Sequence, residues 1–411
     1  MSVITTLMSL KQKRFCLWVP AVVVSITACD FLLTGAPDDA DLFDAPIPGL
    51  TTEQLAAFVR GDAAFGRRFS AAEGLGPIFN AAACGDCHSG DGRGRPENIL
   101  TRISLGTDPA LALGGPQIQD KAIPGAIPEV VPGGVDISLR LPPPVFGVGF
   151  IEAIPEAAIL ANADEFDGDG DGISGRPNWV LAADFVPTSE PGAGPGLQLG
   201  RFSRKGQVST LLQQSVEAYH QDMGITTDFL PEENVNPQSG RSTLAADQVP
   251  DPELSAAEVR AVVDYLRMLA PPAPGEDTPQ RQSGSDLFTQ VSCDGCHVRE
   301  FRTGPSTIAA LADQRVVLYS DLLLHDMGDA LADNRPDGSA DGREWKTPPL
   351  WGLRIARDFL NGDLFLLHDG RATSIAEAIE FHGGEALASR NAYLSLGAED
   401  QDALVEFVRS R

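Results

Sequence analysis

The sequence predicts a mainly α fold made of two unequal, related halves. Three observations carry this prediction: a five-residue cysteine and histidine pattern present once in each half, a similar amphipathic helix closing each half, and a proline-rich break between them. With 411 residues, 43% hydrophobic and 21% charged, the chain is long enough for two or three domains and a sizeable core. Its 57 acidic residues outweigh 31 basic ones and leave a net charge of -26. Such a field disfavours nucleic acid or an anionic membrane as a partner of the folded body and suits a basic docking protein.

Residues 1-28 read as an export signal: Lys11, Lys13 and Arg14 precede an apolar run from Phe15 to Ala28 that is too short to span a bilayer. The run ends in Ile26-Thr27-Ala28-Cys29, which resembles the lipobox of bacterial lipoproteins, and predicts cleavage before Cys29 and a lipid on that cysteine. An ordinary secretory cleavage nearby is the alternative. Either way the expected location is the bacterial periplasm or cell envelope, with membrane contact only through the lipid. Removing residues 1-28 takes away three basic charges and no acidic one, leaving 383 residues at -29. Residues 29-50, rich in Asp, Ala and Pro, are expected to be a disordered tether. The proline density of residues 271-282 predicts a linker between a first domain, 51-270, and a second, 283-411.

Each half carries Cys-x-x-Cys-His: Cys84, Cys87 and His88 in the first, Cys293, Cys296 and His297 in the second. This is the pattern of c-type haem attachment, in which two thiols add to the haem vinyl groups and the adjacent histidine binds the iron. Structural zinc is the alternative, and it would need paired Cys-x-x-Cys units without the histidines. The repeat extends further. Phe79 and Phe288 each stand five residues before the motif, and Val262 to Arg267 matches Leu404 to Arg409 in character. In the first half Ser255 and Glu258 form a capping box ahead of an apolar face of Val259, Val262, Leu266 and Leu269. These look like the closing helices of two cytochrome c-like domains, each with one covalently bound c-type haem. The motifs lie 209 residues apart and the helices 142, so the first domain carries a loop-rich insertion of 67 residues.

Further motifs are Gly74-Leu75-Gly76-Pro77-Ile78-Phe79-Asn80, Phe150 to Pro155, Asp167 to Arg176, Asp222-Met223-Gly224-Ile225-Thr226, Trp345 to Leu350, and Leu367-His368-Asp369-Gly370-Arg371. With the two haem motifs, they make residues 52-411 resemble the di-haem oxidoreductase (thiol-oxidoreductase-like) family of the bacterial di-haem cytochrome c peroxidase superfamily. The resemblance implies a redox enzyme in which the C-terminal haem accepts electrons from a small cytochrome or cupredoxin and passes them to an N-terminal haem that reduces peroxide or oxidises a small substrate. A non-catalytic electron carrier and a haem oxygenase are the alternatives. Thiol chemistry is excluded on counting: Cys16 leaves with the signal, Cys29 takes lipid, and the remaining four hold haem.

The resemblance also places a distal ligand of the second haem at His382, fourteen residues after His368. Locally, Ser374 and Glu377 cap a short helix ending at Gly383-Gly384, which would present His382 from a helix terminus; a histidine complementing the helix dipole reads the same way. His325 and Met327 are second choices, while His368 and Arg371 are expected to support the site or a propionate. At the first haem the candidates are Glu152, Tyr219, His220 and Met223. Glu152, beside Phe150, Ile151 and Ile154, reads either as a buried acid able to move a proton or as a carboxylate paired with an arginine. Asp167, Asp169 and Asp171 have the alternating spacing of a calcium loop, although position 178 is Asn178 where a bidentate Glu would stand. A solvated acidic loop has the same pattern.

Overall fold

Capped helices in pairs organise the chain. In this computed structural model, which describes residues 42-88, 90, 92-239 and 244-411, α1 (Thr52–Phe65) starts at a Thr51 and Gln54 capping box. The helix α2 (Leu211–Met223) starts at Thr210, and α3 (Ala256–Met268) at the Ser255 and Glu258 box expected from the sequence. In the second half α4 (Pro279–Gln290) is capped by Thr278, α5 (Ile375–Glu380) by Ser374, and α6 (Ala398–Arg409) closes the chain. The helices α1 and α3 pack on each other, and so do α4 and α6.

Each pair meets at a glycine. A Cβ on Gly61 of α1 would lie well under 3.0 Å from the Ala261 carbonyl and Tyr265 of α3; one on Gly284 of α4 would do the same against the Ala403 carbonyl and Phe407 of α6. Four residues after each glycine, on the same helix face, stands a phenylalanine. Phe65 meets Tyr265 at 5.5 Å between ring centroids and Phe288 meets Phe407 at 5.4 Å. The same two rings lie 6.2 Å from His88 and 6.1 Å from His297. The structural counterpart of Phe288 is therefore Phe65, not Phe79, which pairs with Lys121 in a short strand. Equal spacing before the cysteines was a misleading signal, because the glycine-to-cysteine distance differs between the halves.

The expectation of a mainly α chain needs correction. The fold is mixed, with 33% helix and 13% strand. Its strands form five two-stranded ribbons among the described residues. One, β1 (Leu100–Ser104) with β2 (Asp136–Arg140), lies in the insertion; another joins β3 (Leu324–Asp326) to β4 (Glu344–Lys346), with His325 opposite Trp345. Both halves belong to one packed unit whose apolar core runs from Phe58 and Val262 to Phe288 and Phe407.

Two boundaries also shift. Within the expected tether, Phe43, Ala45 and Ile47 are buried. The Ile47 N–H donates to the Met268 carbonyl and the Ala270 N–H to that of Ala45, while Phe43 stacks on Phe146 at 4.7 Å. Their every-second-residue apolar spacing is a strand signal that composition hides. Within the expected linker, α4 already begins at Pro279, since proline is well suited to the first helical turn. The signal segment 1-28 and Cys29 lie outside the described residues. No helix among the described residues is long and apolar enough to cross a membrane.

If the glycine contact sets the helix crossing, Gly284→Val should lower the unfolding free energy by about 3 kcal/mol, as backbone overlap in a packed interface does. Denaturant titration checks this, and Gly295→Ala, whose Cβ meets only the terminal atom of Ile173, should cost clearly less.

Candidate functional site

The second motif opens as a short 3₁₀ turn, Cys293–Gly295, entered through Ser292 at φ 60°. The turn brings the His297 N–H to the Cys293 carbonyl at 3.0 Å, and the His297 Nδ1 donates to the Tyr319 carbonyl at 2.9 Å. His382, just past the end of α5, donates through Nδ1 to the Ala378 carbonyl at 2.7 Å. With each Nδ1 so committed, Nε2 is the nitrogen left to act as a donor of electrons. Burial pushes the His297 imidazole down to about 4 and lowers that of His382, so both are neutral at pH 7, as ligation requires. Both rings line one cavity of about 260 Å³, together with Cys293, Cys296, Trp345, Trp351 and His368.

The first motif repeats the backbone geometry, with the His88 N–H on the Cys84 carbonyl at 3.0 Å. Its Nδ1 is buried without a hydrogen bond, although the carbonyls of Gly92 and Pro143 approach the ring. Burial holds this imidazole near 4 as well and pushes the Cys87 and Cys293 thiols up to about 12. Among the described residues, the convergent sets of potential metal ligands are all carboxylate and include no cysteine.

Charge at the cavity points the same way. Arg93, Arg204 and Lys346 line it, and no carboxylate among the described residues hydrogen-bonds to any of them; Arg204 is held only by the Leu141 carbonyl. Burial lowers their pKa values to about 10, 9 and 8, with the Arg93 charge acting on Arg204 and the Arg204 charge on Lys346. Three desolvated cations in an acidic chain call for an anion from outside the chain. Haem propionates have the required charge. By contrast Arg140, Lys205 and Arg335 are neutralised by Asp333 and Asp337. Lys205 and Arg140 also lie over Trp345, at 4.5 and 5.1 Å from its ring centre, and His368 stacks on that ring at 3.7 Å.

Several expected site residues are employed elsewhere. Glu152 is clamped by Arg267 at 2.6 and 3.1 Å and does not line the cavity; burial raises its pKa against that pairing, and its geometry is that of a brace between the insertion and α3. Tyr219 is buried on α2, edge-on to Phe69 and beside Cys84, and burial holds its phenol neutral. His220, one residue on and so about 100° around the helix, has Nε2 at 3.0 Å from the Glu232 carbonyl. Met223 is packed in the core. Arg371 pairs with Asp369 and the Ala330 carbonyl away from the cavity, whereas His368 lines it. His325 has both nitrogens on carboxylates and is unsuited to iron. Of the acidic run, Asp167 and Asp169 converge with Asp164, while Asp171 accepts from the Ile173 N–H in its own turn. The cations Arg93, Arg204 and Lys346 escaped sequence reasoning, since nothing in a linear pattern marks a charge as buried and unpaired.

The family described as "Di-haem oxidoreductase, putative peroxidase" matches residues 33–129 and 127–411. The chain belongs to this family. Haem is thus its cofactor, and this di-haem oxidoreductase is a redox protein with a donor set that fits the group. No curated protein matches its sequence. Among solved structures, a Kuenenia stuttgartiensis hydrazine synthase pressurised with xenon is similar at 14% identity and TM-score 0.38, over 99% of this chain and 100% of that one. A MauG-like protein associated with microbial copper homeostasis is similar at 12% identity and TM-score 0.28, over 62% of this chain and 88% of that one.

The depressed imidazole pKa values of the di-haem oxidoreductase give a pH expectation. A histidine at about 4 when folded and 6.5 when unfolded binds fewer protons in the native state, so stability is fully present above pH 6.5 and declines as pH falls from 6.5 toward 4. Unfolding midpoints measured across that window should drop steadily, and a flat profile between pH 7 and 4 would contradict the burial of His88 and His297.

Proposed function

We propose that the protein is a c-type di-haem oxidoreductase of peroxidase type, with one haem held between His297 and His382 and the other bound through His88 with its opposite side open to a small oxidant. The observation that carries this reading is the unequal supply of imidazole. Two Nε2 atoms are available on the second-half cavity, whereas His220 and His325 are committed elsewhere and His368 is stacked on Trp345. When bound, the haems supply one-electron storage and an iron that reacts with peroxide.

The chain's own contribution is to place and to exclude. Cys84 and Cys87, then Cys293 and Cys296, anchor each group, while Arg93, Arg204 and Lys346 neutralise propionates. Phe65 and Phe288 back the two proximal rings. Trp345 and Trp351, both on the cavity wall, add aromatic surface between the halves. The calcium expectation narrows to Asp164, Asp167 and Asp169, a cluster of exposed and half-buried carboxylates. A lipid on Cys29, an envelope location and a small basic donor cytochrome or cupredoxin complete the proposal, supported by the signal-like N-terminus and the net charge of -26.

Spectra of the oxidised and half-reduced protein, with and without hydrogen peroxide, test the reading. One high-spin haem that reacts with peroxide and one low-spin haem that does not are expected; two unreactive low-spin haems would leave a pure electron carrier. His382→Ala should convert the low-spin signal to high spin. Electron transfer from a basic donor cytochrome should slow at least tenfold on raising salt from about 0.01 to 0.15 M, as the Debye length shortens to ~8 Å. A salt-independent rate would remove the case for a basic donor.

A further inference from the structure

In the wall of the cavity that holds His297 and His382 lies a buried charged group that the proposed chemistry does not use. His325, on β3, has Nε2 at 2.7 Å from Asp321 Oδ2 and Nδ1 at 2.8 Å from Glu385 Oε2. A neutral imidazole has only one N–H, so a ring that meets a carboxylate at each nitrogen is an imidazolium. Burial alone would lower its pKa; Asp321, Cys296 and Glu385 raise it well above the usual value.

One carboxylate is tied to the attachment motif and the other stands beside His382. The Asp321 N–H donates to the Cys296 carbonyl at 3.0 Å, within the attachment motif. Glu385 stands three residues after His382, in the turn Gly384–Ala386. That turn is pressed on β3: Gly384 has φ 52°, and a Cβ there would overlap the Asp326 carbonyl. Glu385 is itself braced by the Ser174 N–H at 3.0 Å, the Ser174 hydroxyl at 2.7 Å and the Asp326 N–H at 3.1 Å. A continuous path of buried and half-buried bonds therefore runs from the Cys296 loop through Asp321, His325 and Glu385 to the turn that follows His382.

We propose that Asp321, His325 and Glu385 are positioning residues that fix the span between the Cys296 attachment loop and the His382 imidazole, and so keep the second iron six-coordinate. The inference rests on the reading of His382 as an axial ligand. His325 lies in the cavity wall with Nδ1 3.6 Å from the Cys296 Sγ; the three residues act by denying the His382 turn the freedom to move away.

The test uses the full haem-loaded protein and the graded series Ser174→Ala, Glu385→Gln and Glu385→Ala, with His382→Ala beside it. Haem content, far-ultraviolet circular dichroism, the low-spin electron paramagnetic resonance signal and cyanide binding at the second haem are measured. Glu385→Ala should retain both haems and the helix content, gain a high-spin fraction, and bind cyanide about tenfold or more tightly, as loss of an outer-shell partner of a ligand does. Ser174→Ala should raise cyanide affinity by roughly fivefold or less, the effect of one hydrogen bond, with Glu385→Gln between the two. If Glu385→Ala does not assemble, the two milder variants decide. A low-spin, cyanide-resistant second haem across the series, while His382→Ala abolishes the low-spin signal, would overturn the positioning role alone. An unchanged spectrum in His382→Ala would overturn the axial assignment and the inference with it.

Discussion

Helix backbones in van der Waals contact at Gly61 and Gly284 govern where the rest of the molecule can go. Close approach of α1 to α3 and of α4 to α6 brings an aromatic pair together one turn later, Phe65 tilted on Tyr265 and Phe288 edge-on to Phe407. The rings then form the wall behind His88 and His297. A methyl group at either glycine would separate the helices, tilt the aromatic wall and move the imidazole with it. The two haem motifs are local in sequence, but their orientation depends on this contact between helices distant in the chain.

The second constraint is electrostatic. Although the chain is strongly acidic, its interior holds two populations of cations. Arg140, Lys205 and Arg335 meet Asp333 and Asp337 and tie the insertion to the loop before β4. Arg93, Arg204 and Lys346 face the cavity with no carboxylate hydrogen-bonded to them among the described residues. Paired cations are part of the fold; unpaired ones at a cavity are a demand for a ligand, because a desolvated charge costs several kcal/mol unless an opposite charge offsets it. The same reasoning separates the histidines. His325, held by two carboxylates, is committed to charge, while His297 and His382, each with one carbonyl on Nδ1, remain neutral donors.

Much of the chemistry was legible without coordinates, and for a physical reason. A motif of two thiols and an imidazole within one turn is local by nature, so Cys84, Cys87, His88, Cys293, Cys296 and His297 are visible as two contiguous patterns. Helix caps are equally local: Ser255, Glu258 and Ser374 act on backbone groups three residues away. Which of its two readings Glu152 takes, and what His220 and Arg371 touch, depended on what each side chain would meet across the fold: Arg267, the Glu232 carbonyl and Asp369 met them there. The burial of Phe43, Ala45 and Ile47 was visible only as a short alternation inside a polar stretch.

Sequence alone therefore determined the cofactor class, the two Cys-x-x-Cys-His motifs, the closing helices and the excess of negative charge, all of which are set by neighbours along the chain or by composition. Tertiary structure decided that Phe65 rather than Phe79 backs the first histidine, that His382 shares a cavity with His297, and that three cations stand there with no carboxylate hydrogen-bonded to them among the described residues. It also decided that His325 meets a carboxylate at each ring nitrogen. Those outcomes depend on contacts between segments tens to hundreds of residues apart, where distance and desolvation, not residue order, set which charges pair and which nitrogens stay available.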